Sequence, residues 1–373
     1  MKIAFVSTIM GFPWGGADTL WTRAAEAAGE RGDELFISVS PVVAASPRLA
    51  ALRAAGAKIH VRTPTVVPVS FGARLARKLQ SLGGYRGDPL VAALARFKPD
   101  LAIFSLGGTY DLSLHPAWFN WLQATRTKFR LVANWQQEKS VLTGTEQALA
   151  RDILIAADRV NFVSTRNLTA TQRHLGTALA NARVIQNPLR WLPADVAPWP
   201  SDSVACLATV SRLDEGKGIQ LLLQALAHTR TALPDWRLSI FGQGPYENNL
   251  RETAAHLGLG DRVQLRGHVA DLHTIWAAHH LMVSPALDDG VPMTIPEAML
   301  CQRPVLATCV GGAEDWLQHG QTGFLCPLPT ADHVATTLRE AFAARERWEF
   351  MGRAAAETAF RHYRPNDYLQ LIT

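Results

Sequence analysis

The side chains best placed by type and spacing to do chemistry are two carboxylates and two cations in the second half of this 373-residue chain. Asp289 and Glu297 flank a Gly- and Pro-containing segment within ALDDGVPMTIPEAML, a stretch otherwise apolar enough for a core. GVPM cannot join a sheet ladder, so its backbone amides are open to a ligand. Glu297 follows Pro296 at what reads as a helix start, where a carboxylate also serves a purely structural end by complementing the helix dipole. That role does not explain why Asp289 precedes it by a short loop, with Gly311 and Gly312 one strand later. Arg212 and Lys217 bracket a Gly-rich turn in VSRLDEGKGIQLL, a spacing that either aims two cations at one diphosphate or leaves two surface charges. In STIMGFPWGGADTL, Gly15 and Gly16 precede a helix that Asp18 or Thr19 can cap. A glycine pair there lets backbone approach a phosphate or sugar, or simply makes the turn.

Such loops need a scaffold. KIAFVS, ELFISVS, KIHVRT, DLAIFSL, RLVANW and RVNFVS read as strands in the first half, separated by Ala-, Leu- and Arg-rich helical segments. ACLATVSR, WRLSIFGQG, RVQLRGH, LMVSPA and RPVLATC repeat the rhythm in the second. This alternation predicts an α/β fold of two doubly wound, Rossmann-like domains with parallel sheets, whose ligands lie beyond the carboxyl ends of the strands. Pro188, Pro193, Pro198 and Pro200 mark a linker. The expected division is a first domain over 1–188, a linker over 189–202 and a second domain over 203–355. A C-terminal helix over 356–373 is expected to cross back to the first domain.

Composition limits the alternatives. With 48% hydrophobic residues the chain is globular rather than disordered. The four cysteines form no C-x-x-C pair, so neither a zinc site nor a disulfide framework is indicated, and a reducing cytosol fits. MKIAFVSTIMGF reads as a first buried strand rather than a signal peptide, and no apolar run is long enough to span a membrane. Net charge is +5, yet no acid lies between Glu34 and Asp88, where eight basic residues fall. Within that stretch Phe71, Leu75, Leu79 and Leu82 share a helical face, with Arg74, Arg77 and Lys78 around it. That is the pattern of a basic amphipathic helix able to lie on anionic lipid, or of a surface helix packed on its own domain. No aromatic-rich basic groove points to nucleic acid.

The segment SPALDDGVPMTIPEAMLCQRPVLATCVGGAEDWLQHGQTGFL resembles the signature of family 4 glycosyltransferases (glycosyl transferases group 1), retaining nucleotide-sugar enzymes of GT-B fold with an interdomain cleft. VSRLDEGKG, FGQGP and LGLGDRVQLRGHV extend the resemblance through the second domain, and GGADTLWTRAAEAAGERGDEL carries it more loosely into the first. It implies that Glu297 accepts hydrogen bonds from the nucleotide ribose and that Asp289, standing where the motif has its first Glu, meets a hydroxyl of the donor sugar. Gly290, Val291, Pro292, Met293 and Thr294 would turn backbone to the sugar and diphosphate. Arg212 and Lys217 would neutralise the departing diphosphate. Gly15 and Gly16 would close the phosphate side, and Gly267, His268 and Val269 would line the base pocket. No metal is implied, although Asp288 and Asp289 resemble a metal-binding pair by type. The sequence departs from the family in its shorter first acid and in having Ser105, Leu106 and Gly107 where many members carry a His; His115 lies further on. The expected protein is a cytoplasmic retaining transferase, peripheral on the inner membrane face through Phe71, Arg74, Arg77 and Lys78. It would pass a sugar to a glycan or lipid-linked acceptor in surface polysaccharide assembly. A GT-B epimerase and a catalytically weak sugar-nucleotide binder are the alternatives.

Overall fold

The structure is a computed structural model that describes residues 1–10, 14–62, 87–136, 142–189 and 196–373. The chain divides into two compact units, Met1–Pro188 with Arg364–Thr373, and Leu189–Tyr363. Both are α/β and each is built on one parallel sheet, as the alternation of strand and helix predicts.

The strands of the first unit are Lys2–Ser7 (β1), Glu34–Val39 (β2), Lys58–Val61 (β3), Leu101–Leu106 (β4), Lys128–Ala133 (β5), Arg159–Phe162 (β6) and Ala182–Val184 (β7). They are ordered β3-β2-β1-β4-β5-β6-β7, so the order reverses between β1 and β4. Alternate residues serve opposite faces. Ala4, Val6, Phe104, Leu106, Leu131 and Ala133 line one face and pack against Leu94, Trp118, Leu122 and Ile153 of the covering helices. Those helices start where side chains satisfy orphan amides. Asp88 accepts from Leu90 and Val91 ahead of Pro89, and Ser164 accepts from Asn167. The first helix, Gly16–Glu30, is capped differently from expectation: Gly15 is its N-cap, and Asp18, two residues inside the helix, accepts the Gly15 amide at 3.1 Å.

In the second unit the strands are Ala205–Val210 (β8), Trp236–Phe241 (β9), Val263–Gly267 (β10), Leu281–Ser284 (β11), Val305–Thr308 (β12) and Gly323–Cys326 (β13), ordered β10-β9-β8-β11-β12-β13. Leu207, Leu281, Val283 and Leu306 face one apolar layer, which includes helices Ile219–His228 and Ala331–Ala343. Ala208, Met282, Val305 and Ala307 face the other, with Thr294–Leu300 and Trp348–His362. Arg303 is buried in this unit, where backbone carbonyls hold its guanidinium. Its Nε donates to the carbonyls of Trp276 and His279, its Nη1 to Cys301, and its Nη2 to Ala197 and Pro198. Burial lowers its pKa to about 10.

The helix expected over 356–373 ends at His362 instead. Pro365 lacks an amide and disfavours helical backbone at Arg364 before it. The residues beyond belong to the first unit, where Asp367–Leu371 makes a 3-10 turn and Asp367 accepts the Gln186 amide at 2.9 Å. Phe71, Arg74, Arg77 and Lys78 lie outside the described residues. Among the described residues no helix is long and apolar enough to cross a membrane.

Candidate functional site

The order of the second sheet reverses between β8 and β11, and ligands of open parallel sheets sit beyond the carboxyl ends at that point. Both loops that carry the candidate cations and acids start there. After β8 the chain turns through a single 3-10 turn, Glu215–Lys217, and enters helix Ile219–His228 through Gly218. Gly218 has φ +65° and lies so close to the Pro285 carbonyl that a Cβ would be 1.9 Å from its oxygen. The Gly216 carbonyl accepts the amides of Leu287 at 2.8 Å and Asp288 at 3.2 Å, which locks the β8 loop to the β11 loop. The loop after β12 completes the arrangement. Gly311 has φ +56°, a Cβ there would be 2.4 Å from the Asp289 carbonyl oxygen, and Thr308 Oγ1 donates to the Ala286 carbonyl at 2.6 Å.

This backbone lattice brings Lys217 and Asp289 together, although 71 residues separate them in the chain. Lys217 Nζ donates to Asp289 Oδ2 at 2.6 Å, with the two side chains 21% and 16% exposed. Arg212 is turned to its own loop: its Nε donates to Asp214 Oδ2 at 2.6 Å. Each candidate cation therefore holds a carboxylate. Among the described residues, the amides of Gly290, Val291 and Met293 bond no backbone acceptor, while the Pro292 carbonyl accepts from Ile295.

Glu297 sits in the first turns of helix Thr294–Leu300 and is fully buried. Its side chain is shielded from solvent, whereas that of Asp289 is 16% exposed. Gly267, with φ +71°, ends β10 at the same end of the sheet, and its carbonyl accepts the Gly242 amide at 2.8 Å. His268 follows, and Val269 packs on the apolar layer. Gly15, in the other unit, has extended backbone with open space where a Cβ would be, and Gly16 starts the first helix. Among the described residues no group of three or more His, Cys, Asp or Glu is placed to hold a metal ion. None of the four cysteines is in a disulfide.

The sequence reading missed one constellation in the first unit. At the β1–β4 reversal, Thr8 Oγ1 donates to Asp111 Oδ2 at 2.5 Å and accepts the Gly107 amide at 2.9 Å, while Gly108 donates to Asp111 at 3.1 Å. Burial raises the Asp111 pKa against these hydrogen bonds. The pattern GGTYD, a glycine pair with an acid three residues on, is the sequence signal by which it could have been found. His115 does not join this group; its ring stacks on Trp118 with centroids 3.9 Å apart.

Comparison with known proteins shows what the second unit resembles. Residues 205–344 match the model described as glycosyl transferases group 1. The chain is 31% identical over 140 residues to the UDP-N-acetylglucosamine–peptide N-acetylglucosaminyltransferase GtfA subunit of Streptococcus pneumoniae, covering 37% of this chain and 27% of that one. It is 33% identical over 166 residues to a GDP-mannose-dependent alpha-(1-6)-phosphatidylinositol monomannoside mannosyltransferase of Mycobacterium tuberculosis, covering 42% of each. The match thus spans less than half the length of these relatives. Anabaena Alr3699/HepE, solved in complex with UDP, has the same fold over 100% of this chain and 98% of its own, with a TM-score of 0.72 at 20% identity.

Proposed function

We propose, from the match of residues 205–344 to the model described as glycosyl transferases group 1, that the chain is a retaining glycosyltransferase of GT-B fold. It moves a sugar from a nucleoside diphosphate to a glycan or lipid-linked acceptor, in the assembly of a bacterial surface polysaccharide. The observation that carries this reading is the Lys217–Asp289 pair, locked by three glycine-bearing loops at the strand-order reversal of the second unit. Lys217 and Arg212 neutralise the diphosphate, the Gly290–Thr294 backbone faces the sugar and diphosphate, and Asp289 accepts from a sugar hydroxyl. Glu297 accepts from the ribose. Gly267, His268 and Val269 flank the base. In the transfer, the bond from the anomeric carbon to the phosphate oxygen breaks, the acceptor oxygen bonds that carbon on the same face, and the acceptor proton passes to the departing phosphate. The two cations supply the positive charge, so the reaction needs no metal. The proposed working place is cytoplasmic, peripheral to an anionic membrane face.

A thermal-shift screen with UDP, GDP, ADP, CMP and TDP and their sugar conjugates tests the reading. A ligand at 100 times its dissociation constant adds about 2.7 kcal/mol to the folded state. One nucleotide is expected to stabilise the wild type, with the shift collapsing in Glu297→Ala, and transfer is expected to survive EDTA and to retain the anomeric configuration by proton NMR. If no nucleotide shifts the melt, the chain is not a nucleotide-sugar enzyme.

A further inference from the structure

We propose that Asp289 is the internal counter-ion of the diphosphate site: it holds Lys217 until a diphosphate displaces it, and this exchange disfavours a bare nucleoside diphosphate relative to its sugar conjugate. The inference rests on the glycosyltransferase reading for its ligand, and on the geometry for its mechanism. Two flexible side chains on a surface form ion pairs of little consequence. This pair differs in that both backbones are fixed. The Gly216 carbonyl holds Leu287 and Asp288, Gly218 abuts Pro285, and Gly311 abuts the carbonyls of Asp289 and Gly290. Lys217 Nζ and Asp289 Oδ2, 2.6 Å apart and mostly shielded, therefore meet with little freedom left to lose.

A phosphate arriving at Lys217 brings negative charge beside the Asp289 carboxylate, and like charges at that range repel. The carboxylate must give up the ammonium. When the nucleotide carries a sugar, a hydroxyl donates to the released carboxylate and offsets the loss. When the sugar has been transferred, nothing replaces the ammonium but water, so the product diphosphate binds less well than its charge alone would give. Asp289 is in this sense a specificity residue that acts through Lys217 and promotes product release.

Isothermal titration at low salt with inorganic pyrophosphate, UDP and GDP, on wild type, Asp289→Asn, Lys217→Met and the double variant, tests the exchange. Asp289→Asn is expected to bind pyrophosphate, and whichever nucleotide binds wild type, about fivefold more tightly, as the loss of a partly shielded competing charge implies. The gain should vanish in the Lys217→Met background, an outcome that a merely structural Asp289 would not give. Unchanged or weaker binding by Asp289→Asn, a gain that survives without Lys217, or no binding of any probe to any variant overturns the inference. Pyrophosphate binding without nucleotide binding to wild type refutes the glycosyltransferase reading while the pyrophosphate arm still decides the exchange. Asp289→Ser, too short to reach Lys217, repeats the measurement should the Asn variant fail to fold.

Discussion

Asp111 is a carboxylic acid whose burial outweighs its hydrogen bonds from Thr8 and the Gly107–Gly108 turn, so its pKa in the folded chain lies above the ordinary 3.8. A raised acid contributes stability that is fully present below the unfolded pKa and is lost as pH rises through the folded one. Urea melts of wild type and Asp111→Asn from pH 4 to pH 7 should therefore show the wild type's standing relative to the variant highest at the acid end and declining as pH rises. A pH-independent difference would refute the raised pKa. The sequence named the right residue types at this scale but not their partners. Asp289 and Lys217 were each singled out, yet Arg212 was expected beside Lys217 and is turned to Asp214 instead. Pairing across distant loops depends on which strand ends the sheet order brings together, and local spacing holds no record of that. The burial of Arg303, which opens the strand-like RPVLATC, has no local signal for the same reason: only the fold supplies the carbonyls that satisfy it.

At the scale of elements, the candidate site depends on glycines that let three loops touch. A Cβ at Gly218 would meet the Pro285 carbonyl oxygen at 1.9 Å, in a backbone conformation that side chains rarely adopt, whereas Gly260 has nothing within 4 Å. Gly218→Ala should cost about 3 kcal/mol in urea denaturation and weaken nucleotide binding, with Gly260→Ala within about 0.5 kcal/mol of wild type. Equal effects at both positions would show that the loop contact does not hold the site together. Strands were legible where an apolar run was continuous, and KIAFVS corresponds to β1 from end to end. The edge strands β7 and β13 were not read. β7 has three residues and no fully buried one, and β13 opens on Gly323, whose Cβ would strike the Val305 carbonyl at 2.1 Å. Both are held as strands by a neighbour rather than by their own pattern.

For the whole molecule, each unit has its own sheet and apolar layers, and the candidate diphosphate cations and both acids of the motif belong to Leu189–Tyr363. The ends of that unit are tied together: the Leu189 amide donates to the Tyr363 hydroxyl at 3.1 Å, so the segment closes on itself where the chain enters and leaves it. Its independence follows from the same facts that made two domains legible in the alternation of strand and helix. The tail Arg364–Thr373 returns to the first unit, as expected of the C-terminal segment, but through a 3-10 turn with Leu371 and Ile372 buried rather than as a helix. Arg130 and Arg159 donate to the carbonyls of Leu371 and Gln370, contacts that leave no periodic trace in sequence. A fragment of residues 189–363 should fold cooperatively and be stabilised by the same nucleoside diphosphate that stabilises the full chain, with no sugar transfer. Calorimetry of the two with that nucleotide decides it. Dissociation constants within about tenfold, equivalent to 1.4 kcal/mol, place the recognition energy in the second unit. A folded fragment that binds no nucleotide would move the principal contacts to the first unit, where Gly15, Gly16 and the Thr8–Asp111 pair would then be the residues to substitute next.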